Sequence, residues 1–155
     1  MNKPLIYLFD TTDKEHRYQI TKRLVLAYQN DDRSDLELVT NDHEKPYFKD
    51  TNVHFNISHS NNLWVLAISS DEIGIDIEHI RPCLIDKIAE RFFHHDEAVF
   101  LKHDPDAFFK LWSAKESYVK YHGWGIDEYF SKFTVVCDDK LSTQIDDVNL
   151  YHIDC

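Results

Sequence analysis

Apolar and polar positions change their spacing midway along the chain. Leu5 to Phe9 reads as a strand, and Asp13 to Gln29 as a helix with Ile20, Leu24, Ala27 and Tyr28 at helical intervals. The polar turn Asp31-Asp32-Arg33-Ser34-Asp35 leads to a short strand, Leu36 to Thr40. Residues 41–52, polar and interrupted by Lys45-Pro46, read as a loop. Three β-like runs follow, Val53 to Ile57, Leu63 to Ser69 and Ile73 to Glu78. Polar turns separate them, the pattern of an antiparallel meander. Beyond Pro82 the spacing becomes helical over Leu84 to Phe93, Asp96 to Lys102 and Asp106 to Tyr121. Asp104 before Pro105 is a start signal for the last helix and Gly123 a stop. Phe130 to Cys137 and Gln144 to Ile153 read as strands. This order predicts an α+β fold of two halves, residues 1–80 and 81–155, packed as one compact unit. No repeat in the sequence relates the halves.

Two features break the pattern. Asp76 and Glu78 alternate with Ile75 and Ile77, so in an extended segment both carboxylates share one face. Alone, they suit the polar face of a half-buried strand. Glu116 lies on a helical stripe with Phe108, Trp112 and Val119, where an apolar residue is expected and a lone carboxylate is costly to bury. Its partner is either Lys120, four residues on, or a cation shared with Asp76 and Glu78. Mg²⁺ suits the second case, and Mn²⁺ is not distinguished from it: it takes a few carboxylates and fills its other positions with water and phosphate oxygens. Ser58 and His59, in Phe55-Asn56-Ile57-Ser58-His59-Ser60, lack a nucleophile elbow. They suit phosphate binding or turn capping equally. Lys115 and Lys120 read as a solvated helix face or as phosphate contacts.

Composition narrows the classes. With 155 residues, 43% hydrophobic, 29% charged and 14% aromatic, the chain can form one globular domain with a large aromatic core. Three Gly and four Pro leave no room for long flexible linkers. Cys83, Cys137 and Cys155 are odd in number and form no C-x-x-C pair, which fits a reducing cytoplasm and no zinc site. No apolar run approaches the roughly 20 residues of a membrane span, and the first residues lack a signal-peptide pattern. The net charge of −11 disfavours nucleic acid as a partner, and with it a nuclease reading of the carboxylates. Any phosphate site must be a local basic patch. The ten histidines contain no H-E-x-x-H pattern.

Three segments together, Phe55 to Ser60, Gly74 to Glu78 and Trp112 to Lys120, resemble in this order the motifs of Sfp-type 4′-phosphopantetheinyl transferases. His16-Arg17 before a helix, Lys45-Pro46, and Arg91-Phe92-Phe93 followed by Glu97 extend the resemblance over roughly residues 13 to 137. The G-I-D motif follows the N-I-S-H-S motif, as in the two-halved enzymes of this superfamily and unlike its trimeric branch. The resemblance implies two pseudo-symmetric α/β halves, each an antiparallel sheet packed on helices. It implies a monomer, with a dimer as the alternative where a sheet edge needs cover. It implies transfer of the phosphopantetheine arm of coenzyme A to a serine of an acyl or peptidyl carrier protein, releasing adenosine 3′,5′-bisphosphate. Asp76, Glu78 and Glu116 would hold Mg²⁺ on the pyrophosphate. Glu116 or a water on the metal would deprotonate the serine, with Glu97 as a second candidate. Lys115 and Lys120 would contact phosphates. Arg17, Lys45, Pro46, Ser58 and His59 would line the nucleotide site. The chain departs from the family in three places. About fifteen residues precede His16-Arg17, Glu44 stands where a glycine is expected, and the chain ends at Cys155 where another strand usually follows. The expectation that goes with these departures is a weakened grip on coenzyme A, and at the extreme a relative that binds coenzyme A or carrier without catalysis. Because carrier proteins are usually acidic, a local apolar or basic docking patch is expected near the helix from Asp106 to Tyr121.

Overall fold

The segment Leu63–Ser69 is almost wholly apolar, and in a computed structural model describing residues 3–10, 14–33, 36–124 and 129–154 it is the central strand of the main sheet. This strand, β5, pairs antiparallel with β4 (His54–Ser60) on one side and β1 (Leu5–Asp10) on the other. Trp64, Leu66 and Ile68 point to one face. There they join Phe55, Phe48 and Val25 of helix α1 (Lys14–Tyr28) in a first core. Phe9 stacks on Trp64 with ring centroids 4.1 Å apart. The buried line of α1 is Arg17, Thr21 and Val25, flanked by Ile20, Leu24 and Tyr28, whereas Ala27 is exposed. The predicted helix start at Asp13, the turn residues Ser34 and Asp35, and Cys155 lie outside the described residues.

Two β expectations change. Part of the predicted loop 41–52 is a strand, β3 (Pro46–Phe48), paired with β2 (Leu38–Thr40). Asn41 makes the connection possible, since its side chain accepts from the backbone N–H of His43 at 3.0 Å and of Lys45 at 2.9 Å. Pro46 opens its strand, where the missing N–H matters least. The segment 73–78 is not the third strand of a meander, a place taken by β1 from the far end of this half. Instead it runs alongside β4 in the same direction, held by side chains. Asn56 accepts from Ile75 N–H at 2.9 Å, Ser58 donates to Asp76 at 2.7 Å, and Ser60 accepts from His79 N–H at 3.0 Å.

The second half is helical: α2 (Ile85–Phe92), α3 (His95–His103), a short 3₁₀ turn Pro105–Ala107, and α4 (Phe108–His122). Gly123, at φ 70°, ends α4 as predicted. Its N–H reaches Lys120 O, and that of Trp124 reaches Val119 O at 3.0 Å. Phe93, Leu101, Phe108, Leu111, Val119, Phe130 and Val135 form a second core. The long strands predicted at 130–137 and 144–153 are instead two short hairpins. These are β6 (Val136–Cys137) with β7 (Lys140–Leu141), and β8 (Gln144–Ile145) with β9 (Val148–Asn149). Asp138, Asp139 and Asp146 take φ near 50–56° and turn the chain tightly where extended strands were expected. Among the described residues no helix is long and apolar enough to cross a membrane.

Candidate active site

Gly74 determines how the acidic segment meets α4. A Cβ at this position would lie 2.0 Å from Ser117 O and 2.5 Å from Tyr121 N, so only glycine lets the segment press against the helix backbone. Two residues on, Asp76 enters the seam between β4 and α4. It accepts from Ser58 Oγ at 2.7 Å, from Ser113 Oγ at 2.9 Å and from Lys120 Nζ at 2.6 Å. Lys120 Nζ also donates to Ser58 Oγ at 3.0 Å and stands 4.0 Å from Glu116 Oε2. Ser113, Glu116 and Lys120 share one helix face by their spacing. The spacing of positions 113, 116 and 120 is legible in the sequence, and it is the signal that finds Ser113. Glu78 follows two residues after Asp76, 3.9 Å from Arg81 Nη1.

Three carboxylates thus face one lysine. Burial pushes the Glu116 carboxyl up to about 7, and Asp76 and Glu78 add to the rise while Lys120 opposes it. Glu78 is raised too, first by burial and then by Asp76. The cluster is therefore short of positive charge. As the side chains stand, no three His, Cys, Asp or Glu among the described residues are gathered closely enough to hold a metal ion. The donor chemistry nevertheless fits a hard divalent cation. The oxygens are carboxylate oxygens, and the Lys120 ammonium stands in for a cation between Asp76 and Glu116.

The other sequence candidates divide into three groups. Glu97 and Lys115 are not in this cluster. Both are 0% exposed in the second core, where Lys115 Nζ meets Glu97 Oε2 at 2.8 Å and Phe133 O at 2.7 Å. Lys115 precedes Glu116 by one residue, and about 100° of helix turn sends it the other way. Lys45 and Pro46 line a cleft of about 210 Å³ with His43, Glu44, Asn56, Ile57, Lys120, Gly123 and Trp124. Lys45 Nζ itself bonds the Glu72 carboxylate and the last-turn carbonyl of Tyr121, the latter at 2.9 Å. Glu44 has φ 62°, the left-handed backbone that makes glycine the natural occupant. His59 lies opposite Trp64 in the ladder and, by strand alternation, on the face away from Ser58. Arg17 packs over the same Trp64 ring, 5.9 Å from its centroid, and its buried Nε has no hydrogen-bond partner among the described residues. On the far side of Glu78 is a smaller pocket of about 100 Å³ lined by Arg81, Cys83, Ile88, Phe108, Phe109 and Trp112.

Known proteins are similar to this chain in sequence. A model of the 4′-phosphopantetheinyl transferase superfamily matches residues 72–153, just over half the chain. The chain is 44% identical over 109 residues to the 4′-phosphopantetheinyl transferase gsp of Aneurinibacillus migulanus, covering 67% of this chain and 44% of that protein. It is 37% identical over 131 residues to the 4′-phosphopantetheinyl transferase ffp of Bacillus subtilis, covering 79% and 57%. It is 38% identical over 124 residues to the 4′-phosphopantetheinyl transferase Sfp of Bacillus subtilis strain 168, covering 75% and 55%. The chain spans about half the length of these relatives.

Proposed function

This chain belongs to the 4′-phosphopantetheinyl transferase superfamily, with Sfp-type relatives, and we propose that it transfers the 4′-phosphopantetheine arm of coenzyme A to a serine of an acyl or peptidyl carrier protein. The observation that supports this reading is Lys120 set between Asp76 and Glu116, with Glu78 two residues beyond Asp76 in the segment 74–78 that packs on α4. In the reaction, the serine Oγ attacks the phosphorus that bears the pantetheine. The bond from that phosphorus to the bridging oxygen breaks, and adenosine 3′,5′-bisphosphate leaves with the oxygen. The serine proton passes to a base.

Each role falls to a named group. Glu116, or a water on the metal, takes the serine proton. Glu97 is 0% exposed in the second core, which favours Glu116 over it as the base. Asp76, Glu78 and Glu116 hold Mg²⁺ when it binds; the ion supplies charge stabilisation to the pyrophosphate as the bond breaks. Lys120, already between Asp76 and Glu116, contacts the departing phosphate. The cleft beside Pro46 and Trp124 takes the nucleotide. By the family resemblance, Arg17 and His59 would reach the 3′-phosphate. The pocket beyond Glu78, with Ile80 and Leu84 exposed at 77% and 66% next to Arg81, receives the apolar surface of the carrier. The protein acts in the cytoplasm, as a monomer of two halves, 1–80 and 81–155.

The test is mass spectrometry of several apo carrier proteins incubated with coenzyme A, Mg²⁺ and the folded protein. A gain of one phosphopantetheine arm is expected. No gain with any carrier sinks the reading. Glu44 in the nucleotide cleft, with Lys45 committed to Glu72 and Tyr121 O, favours one second reading: a relative that binds coenzyme A without transfer. Calorimetric affinity for coenzyme A, with no modified carrier, would select it.

A further inference from the structure

The second core contains an ion pair that the proposed reaction does not use. Glu97 and Lys115 are both 0% exposed. Lys115 Nζ meets both Glu97 oxygens, at 3.0 and 2.8 Å, donates to Phe133 O at 2.7 Å, and sits 3.9 Å from the Phe133 ring centroid. Glu97 Oε1 also accepts from Val135 N–H at 2.7 Å, and Oε2 from His94 N–H at 3.0 Å. One carboxylate therefore ties the start of α3 and the chain at 133–135 to a single point on α4.

Stability does not account for the pair. Two full charges lose their hydration in such a place, and well-packed apolar residues of similar volume are often as stable or more so. Direction does account for it. Apolar packing tolerates a helix turning slightly about its axis, whereas charge-assisted hydrogen bonds to three fixed partners do not. The residue after Lys115 is Glu116. We propose that Glu97 and Lys115 are positioning residues that fix the rotation of α4, and thereby the gap between Glu116 and the Asp76–Glu78 segment in which a divalent cation binds. This rests on the cation reading of that cluster. The magnitude is adequate. At an outer helix radius of about 5 Å, a rotation of about 10° carries a carboxylate through roughly 1 Å, while metal–oxygen distances tolerate about 0.2 Å.

The test compares the wild-type chain with the double variant Glu97→Leu, Lys115→Met and with Val25→Ala, a control in the first core. Mn²⁺ alone is titrated by calorimetry and by its electron spin resonance signal. Urea unfolding is measured on the same samples, and the Mg²⁺ dependence of carrier modification is followed in parallel. The double variant should unfold at the same or higher urea concentration yet bind Mn²⁺ about tenfold more weakly, the scale of outer-shell effects at metal sites. The Mg²⁺ needed for half-maximal transfer should rise by the same factor. Val25→Ala should lose stability and keep its Mn²⁺ affinity within about twofold. A folded double variant with unchanged Mn²⁺ affinity overturns the proposal. So does a Val25→Ala control that loses as much affinity, or a wild-type chain that binds no Mn²⁺ at millimolar concentration. If the first double variant does not fold, Glu97→Gln with Lys115→Met retains an acceptor for Val135 and carries the same comparison. Weakened Mn²⁺ binding in the double variant with no transfer by the wild type would leave this proposal standing while the proposed reaction falls.

Discussion

Replacing Glu116 by glutamine should stabilise the metal-free protein at neutral pH and do so much less at pH 5. Burial raises the folded-state carboxyl from 4.5 to about 7. The folded chain therefore holds the Glu116 proton more tightly than the unfolded chain across that window. Stability falls as pH rises from about 4.5 and levels off above about 7. At about 1.4 kcal/mol per pH unit the whole difference is about 3 kcal/mol, and roughly 2 kcal/mol of it is lost between pH 5 and pH 7.5. Glutamine keeps the shape and carries no charge. For a chain of this size the gain at pH 7.5 corresponds to a rise in Tm of roughly 6–12 °C. The assay is thermal and urea unfolding of both proteins in chelator at pH 5.0 and 7.5. The difference between the two proteins isolates Glu116 from the ten histidines. Saturating Mg²⁺ should then stabilise wild type more than Glu116→Gln, because the ion supplies the positive charge that the cluster lacks. Parallel pH profiles for the two proteins, or a Glu116→Gln variant no more stable than wild type at pH 7.5, would refute the account of this carboxylate.

Other perturbations probe different parts of the same site. Asp76→Ala removes the acceptor shared by Ser58, Ser113 and Lys120, and Mg²⁺-dependent transfer to a carrier should fall by on the order of 100-fold or more; unchanged turnover would dismiss the metal role assigned to Asp76. Gly74→Ala pushes a methyl into Ser117 O and Tyr121 N and should cost about 3 kcal/mol in urea unfolding, so a loss under about 0.5 kcal/mol would show that segment and helix are not tightly apposed. Ile80→Asp with Leu84→Asp should raise the KM for carrier while leaving that for coenzyme A unchanged, and equal effects on both would remove the carrier from that surface. Because the chain carries −11 and carriers are usually acidic, added salt should leave modification unchanged or speed it; slowing would mean the encounter is attractive.

What could be read in advance follows from which physical rule governed each residue. Helices α2, α3 and α4 were visible because their apolar spacing and the Asp104-Pro105 and Gly123 signals are local. Alternation correctly grouped Asp76 with Glu78, although their segment joins no ladder, because an extended chain alternates whether or not it is paired. The same rule splits the Phe55–Ser60 motif, placing Ser58 on Asp76 and His59 across from Trp64. Arg17 was harder to place. A cation in the buried line of α1, over Trp64, runs against the usual exposure of arginine, and only the tertiary contact explains it.

Lys115 shows where motif spacing stops being informative. Next to Glu116 in the sequence, it reads as a phosphate contact, but a helix separates successive side chains by about 100°. One residue therefore faces the seam, and the other faces Glu97, 18 positions away in the chain. Nothing local distinguishes the two directions. Phe130 and Phe133, which wall the buried ammonium, lie 15 and 18 residues further along. A lysine with such partners cannot reach a phosphate without leaving Glu97 charged and unpaired in the core, a loss on the order of 3–5 kcal/mol. The same commitment gives Lys115 its value to the site. A residue free to swing toward substrate could not hold α4 in place, whereas one fixed at its far end keeps Glu116 facing Asp76 and Glu78.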